Sequence, residues 1–246
     1  MVTNPRRVVA LALLLAAVTS ALVISSVFAD EGNAATSSLT RQLIGRSVRG
    51  RAIYAYERGD PNSTPVLVVG SIHGNEPAGI AVAKRLVRIP LPQGIDLWVI
   101  PDLNPDGHAA NTRGNAHGVD LNRNFPWRWR RLSAGYDSGP HSLSEPEARA
   151  AARLIKRVRP RLTIWFHQPL DLVDGSRRSP VLERRFARLA GLPLKQLQGP
   201  YPGTATSWER HVIPGAAAFV AELPGGKLGA RKVGRYARAV LSVSGS

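Results

Sequence analysis

The 246-residue chain has no cysteine, which excludes a disulfide scaffold and any thiolate metal site. Acidic residues are scarce, 17 against 33 lysines and arginines, and the formal charge is +16. No internal repeat or low-complexity block is present, and with 43% apolar residues a disordered chain is excluded as well. A phosphate-binding glycine loop is also missing, because no Lys-Ser/Thr follows Gly225-Gly226 in the required register. A chain of this length buries a sizeable core without staples, and one α/β-sized domain is the default.

An uncharged apolar run, Val8 to Ala29, follows Arg6-Arg7 and stops before Asp30. It reads as a secretory signal. About 20 apolar residues also suffice for an uncleaved membrane anchor, so both readings stand for residues 1–29. Either way the remainder is expected outside the cytoplasm: secreted, wall associated, or anchored on the outer membrane face. Residues 30–40 are small and polar and read as a flexible tether, which leaves 41–246 for the folded domain. The positive excess favours anionic neighbours such as cell-wall polymers. Its arginines are scattered, however, and fit compositional bias better than a binding stripe. Trp127-Arg128-Trp129-Arg130-Arg131 is the one basic-aromatic cluster; with no nucleic-acid motif around it, a solvated loop or a substrate-side rim is expected and nucleic acid is not.

Apolar periodicity predicts a strand pair around Arg49-Gly50, a doubly buried strand over 65–72, a helix over 78–87 and a strand over 95–100. Ser144-Glu145-Pro146-Glu147 fits a capping box opening a helix to Val158. Strands over 162–166 and 216–222 and helices over 181–190 and 227–241 complete the pattern. This alternation implies an α/β domain whose mostly parallel, mixed central sheet is covered by helices on both faces. The stretch from Asp102 to Gly139 is long and rich in turn residues, and loops of that length inside compact domains are usually functional.

His73-Gly74-Asn75-Glu76 lies just past a strand end, where open α/β sheets place ligands. Alone, the pair reads better as a hydrogen-bonded loop histidine beside an exposed glutamate. His167 and Glu222 repeat the placement at two further strand ends. A catalytic zinc takes three protein ligands and a nearby carboxylate base, which His73, Glu76, His167 and Glu222 can supply.

Between these segments stand Asn104-Pro105-Asp106-Gly107, Thr112-Arg113-Gly114-Asn115 and Asp120-Leu121-Asn122-Arg123-Asn124-Phe125-Pro126, with Glu222-Leu223-Pro224 further on. In this order the motifs resemble the zinc carboxypeptidases of the carboxypeptidase A-like family, most closely the short bacterial branch of murein peptide amidases. The resemblance implies one Zn2+ held by His73, Glu76 and His167, with Glu222 as general base. It implies that Arg113 steadies the oxyanion and that Asn122 and Arg123 hold the substrate carboxylate through a planar bidentate fork. It also implies hydrolysis of the γ-D-glutamyl bond to diaminopimelate in murein peptides; a monomer is expected, touching a membrane only through an uncleaved N-terminal segment. Tyr201 is a loose candidate for a substrate-capping tyrosine, and His108, His117, His141 and His211 fall outside the ligand positions. Two other readings are a broad carboxypeptidase releasing C-terminal L-amino acids and a non-catalytic wall-binding relative.

Overall fold

The computed structural model describes residues 38–133, 135–175, 180–197 and 201–245. The expected signal or anchor, residues 1–29, and residues 30–37 of the expected tether lie outside them. Residues 38–40 do not continue the tether, for they open strand β1 (Ser38–Arg46), which pairs antiparallel with β2 (Ala52–Gly59) from Ser38 opposite Gly59 onward. The physical reason is an available edge: β2 offers backbone partners along its whole length. The turn between them uses Gly50 at φ +78, a left-handed conformation that glycine adopts without steric cost.

Six further strands complete one mixed sheet: β3 (Pro65–Val69), β4 (Asp96–Ile100), β5 (Leu162–His167), β6 (Leu170–Asp174), β7 (Leu194–Lys195) and β8 (Ala217–Pro224). Their order is β1-β2-β4-β3-β5-β8-β6-β7, and the neighbours β4, β3, β5 and β8 run parallel. Side chains alternate across the sheet. Val66 and Val68 therefore enter one core with Ile164, Phe166 and Phe219, while Leu67, Val69, Trp98 and Trp165 enter the other. Helices α1 (Ala78–Leu86), α4 (Pro180–Ala190) and α6 (Ala230–Ser244) contribute to the first core, and α3 (Pro146–Val158) and α5 (Ala205–Val212) to the second. A further short helix, α2 (Pro105–Ala110), lies in the long turn-rich stretch. Among the described residues no helix is long and apolar enough to cross a membrane.

The expected capping box is corrected by one position. Glu145, not Ser144, is the N-cap of α3, so Glu147 occupies the second helical residue instead of the third. Neither side chain caps the helix in the expected way: Glu147 accepts from Val48 N at 3.0 Å, and Ser144 Oγ donates to Glu145 Oε1 at 2.7 Å. The demands of the buried polar loop outweigh the local motif.

One buried acid binds α5 to the sheet. Glu209 accepts hydrogen bonds from Thr163 Oγ1 and from Trp165 Nε1, the latter at 3.3 Å, and burial pushes its carboxyl up to about 7 from 4.5. Raised in the folded state, this group contributes stability that is complete below pH 4.5 and disappears as pH rises through 7. Chemical denaturation between pH 4.5 and 8 is expected to show a loss of about 2–3 kcal/mol from Glu209, absent in Glu209→Gln. Parallel pH profiles of the two proteins would remove this assignment.

Candidate zinc centre and substrate cavity

Two neighbouring parallel strands deliver the candidate ligands. β3 ends at Val69 and the chain turns through Ser71, whose hydroxyl donates to the His73 carbonyl at 2.7 Å. The loop carrying His73 and Glu76 lies directly on α2: a Cβ on Gly74 would come within 1.9 Å of the Gly107 carbonyl carbon, so only glycine fits. His167 is the last residue of β5.

These three side chains are buried and converge. His73 Nδ1 and His167 Nδ1 are 3.1 Å apart, and Glu76 Oε2 lies 3.0 Å from the first and 2.9 Å from the second. Tetrahedral zinc with bonds near 2.0–2.1 Å separates its ligand atoms by about 3.3 Å, close to this spacing. The chemistry of the donors agrees. Asp120 Oδ1 accepts from His73 Nε2 at 2.9 Å, which leaves Nδ1 with its lone pair directed at Glu76 and His167. Two imidazole nitrogens and a carboxylate oxygen gathered this closely form a donor set that a shared proton or a cation can hold together, and the residues present fit zinc.

Asp120 is the residue whose part sequence reasoning missed. It orients His73 and also accepts from Arg113, at 3.0 Å from both Nε and Nη2. Arg113 Nη1 donates to Glu76 Oε1 at 3.0 Å, so the arginine expected at the oxyanion also braces a ligand carboxylate. Burial pushes the Glu76 carboxyl up, but the imidazoles of His167 and His73 beside it outweigh burial and hold the group well below the usual carboxylate range. Carboxylates that fix a metal-binding histidine typically change metal affinity about 10–100-fold. Asp120→Asn should weaken zinc binding by that factor in a chelator competition; unchanged affinity would remove Asp120 from this role.

Glu222 stands opposite His167 in the parallel β5–β8 register. Its Oε2 is buried without a hydrogen-bond partner, and burial pushes its carboxyl up. An acceptor left open beside the imidazole pair is placed to meet a water or a substrate proton. Gln168, joined to Pro169 by a cis bond, fixes the surrounding loops. Its backbone N–H donates to Glu76 Oε2 at 3.2 Å, and its side-chain amide donates to the carbonyls of Pro224 and Gly226.

A cavity of about 740 Å³ opens from this cluster and is lined by Asn122, Arg123, Tyr136, Tyr201, Asp174 and Arg210 among others. Asn122 is pinned to the start of α5, its Oδ1 accepting from Ala205 N at 2.9 Å. Arg123 is buried, its Nη1 donates to the Asn122 carbonyl at 2.8 Å, and its guanidinium lies 5.4 Å from the Tyr136 ring and 5.0 Å from the Tyr201 ring. The structure therefore puts Tyr201 at the site. Tyr136 carried no sequence signal beyond its place in the turn-rich stretch. The remaining histidines are engaged elsewhere: His108 with Asp102 at 2.7 Å, His117 with Glu145 at 2.8 Å, His141 with the Ser142 carbonyl, and His211 stacked on Trp127.

Fold and site together define a zinc-dependent hydrolase: the chain belongs to the zinc carboxypeptidase family, whose sequence pattern matches residues 26–173, and this family uses one zinc ion. Glu222 lies beyond the matched residues, so its placement rests on the structure. Murein peptide amidase A of Escherichia coli (strain K12) is 31% identical over 179 residues, covering 67% of this chain and 74% of the relative. The protein of that name from Vibrio campbellii is 29% identical over 185 residues, covering 69% and 74%. Among solved structures, the murein-tripeptide amidase of Escherichia coli O157 matches with TM-score 0.70 at 27% identity, over 84% of this chain and 92% of that one. Carboxypeptidase A from Helicoverpa armigera matches with TM-score 0.69 at 19% identity, over 84% and 68%, a likeness of fold.

Proposed function

We propose that this protein is an exported murein peptide amidase, cutting the γ-D-glutamyl bond to diaminopimelate with His73, Glu76 and His167 as its zinc ligands. The similarity to murein peptide amidases over most of their length supports the substrate class. The observation that carries the finer reading is the mixed charge of the cavity wall. Beyond Arg123 and Asn122, the same cavity is lined by Asp174 and Arg210. Diaminopimelate presents one carboxylate beside the bond to be cut and, at the far end of its side chain, a second ammonium and carboxylate. An acid and a base in one lining match that zwitterionic end, as a purely apolar or purely acidic lining does not.

Zinc, when bound, supplies Lewis acidity that polarises a carbonyl and lowers the pKa of water. Glu222 accepts the proton of the attacking water through its open Oε2 and returns it to the departing amine. Arg113 has guanidinium N–H groups beyond those used by Glu76 and Asp120, and these steady negative charge developing on the carbonyl oxygen. Arg123 grips the carboxylate next to the bond. The apolar run of residues 8–29 supports a site of action outside the cytoplasm, where the positive excess favours retention beside anionic wall polymers.

The test is hydrolysis of L-Ala-γ-D-Glu-diaminopimelate and of a plain L-peptide, each with and without a zinc chelator. Release of diaminopimelate that the chelator abolishes is the expected result. Release of C-terminal L-amino acids with the wall peptide untouched would overturn the proposed substrate, and chelator-insensitive turnover would overturn the metal ligands.

A further inference from the structure

A second groove, of about 880 Å³, borders the zinc cluster at Glu76. Glu76, Arg113, Gln168 and Pro169 line both spaces, so the two meet where the reacting bond must sit. Arg123 and Asn122 line the first space and are absent from the lining of the second. With the substrate's terminal carboxylate on Arg123, the departing amine occupies the first space, and the second, sharing Glu76 and Arg113 with it, offers the acyl portion a place.

The walls of that groove are selective in charge. Lys84, from α1, and Lys227, from the turn after β8, both line it, both are exposed, and neither makes an ion pair among the described residues. Apolar contact comes from Ile80 and Leu228. The lining carboxylate is Glu76, already committed to His73, His167 and Arg113, and Asp102, near enough to Lys84 to feel its charge, is bonded to His108. His108, the other titratable lining group, is held by Asp102.

We infer that this groove binds the acyl side of the substrate and selects a residue bearing a free carboxylate, with Lys84 and Lys227 as the groups that recognise it. The inference rests on the proposed murein reading for its particular ligand: a γ-linked glutamyl residue keeps its α-carboxylate free, and in the amidated form of the same peptide that charge is gone. An ammonium gains more from an ionised acceptor than from a neutral amide. The groove therefore separates two wall peptides identical on the amine side.

The experiment uses zinc-loaded full chain and two tripeptides, L-Ala-γ-D-Glu-diaminopimelate and its α-amidated counterpart. The expected result is a kcat/KM about tenfold higher for the free acid, with the ratio falling below twofold in K84Q/K227Q and persisting in K156Q, which removes an exposed lysine of α3. Calorimetric binding of the dipeptide L-Ala-D-Glu and its amide to Glu222→Gln, with and without K84Q/K227Q, reads the same preference independently of turnover. Equal handling of acid and amide by the unaltered groove, or a preference that survives K84Q/K227Q, would overturn the inference. Failure of the murein reading looks different: neither tripeptide is cut while plain L-peptides are. The comparison is then made with Glu against Gln as the acyl residue of an L-peptide, and a preference for Glu lost in K84Q/K227Q sustains the groove assignment alone.

Discussion

Glu222→Gln is expected to lower kcat about 10²–10⁴-fold, the usual contribution of a positioned acid-base group, with zinc content unchanged. Glutamine conserves the volume of the side chain and can still accept the hydrogen bond that the Leu170 backbone N–H gives to Glu222. What it lacks is a carboxylate able to take a proton. The loss therefore falls on the chemical step and leaves KM and metal binding near the parent values. Metal analysis beside steady-state kinetics separates the outcomes. A glutamine variant within tenfold of the parent kcat would exclude Glu222 as the base, and a variant depleted of zinc would make it part of the metal site.

Arg123→Gln is expected to lower kcat/KM about 10²–10³-fold for substrates ending in a free carboxylate. Arg123 is buried beside two tyrosine rings, and the nearby acid, Asp120, is already shared between His73 and Arg113. Its charge is thus directed at whatever enters the cavity. A substrate with an amidated C-terminus cannot use that charge, so the variant and the parent should treat it alike. Lysine should rescue little, because one ammonium cannot reproduce the paired donors of a guanidinium. An equal fall for acid and amide substrates would show that Arg123 supports the fold of the cavity and not the carboxylate.

The placement of chemistry at strand ends was legible because β3, β5 and β8 are short apolar runs, and each leads directly into His73, His167 or Glu222. The doubly covered sheet followed from the same runs. Asp120 was not legible as a partner of His73: 47 residues separate them, and only the fold of the intervening loop brings them together. That loop also hid α2, where the turn chemistry of Asn104-Pro105-Asp106-Gly107 is an Asn N-cap, its side chain accepting from Gly107 N, with proline at the first helical position. Strands β6 and β7 escaped notice for a different reason. They are short, and β6 follows a proline while β7 has two residues, too few for any periodicity to register.

The junction of the two spaces at Glu76, Arg113, Gln168 and Pro169 bears on the order of events after cleavage. On the proposed placement each fragment occupies a space of its own, and release in either order is the expected result. Inhibition by one product should then leave the inhibition constant of the second unchanged, which a paired product-inhibition series can measure.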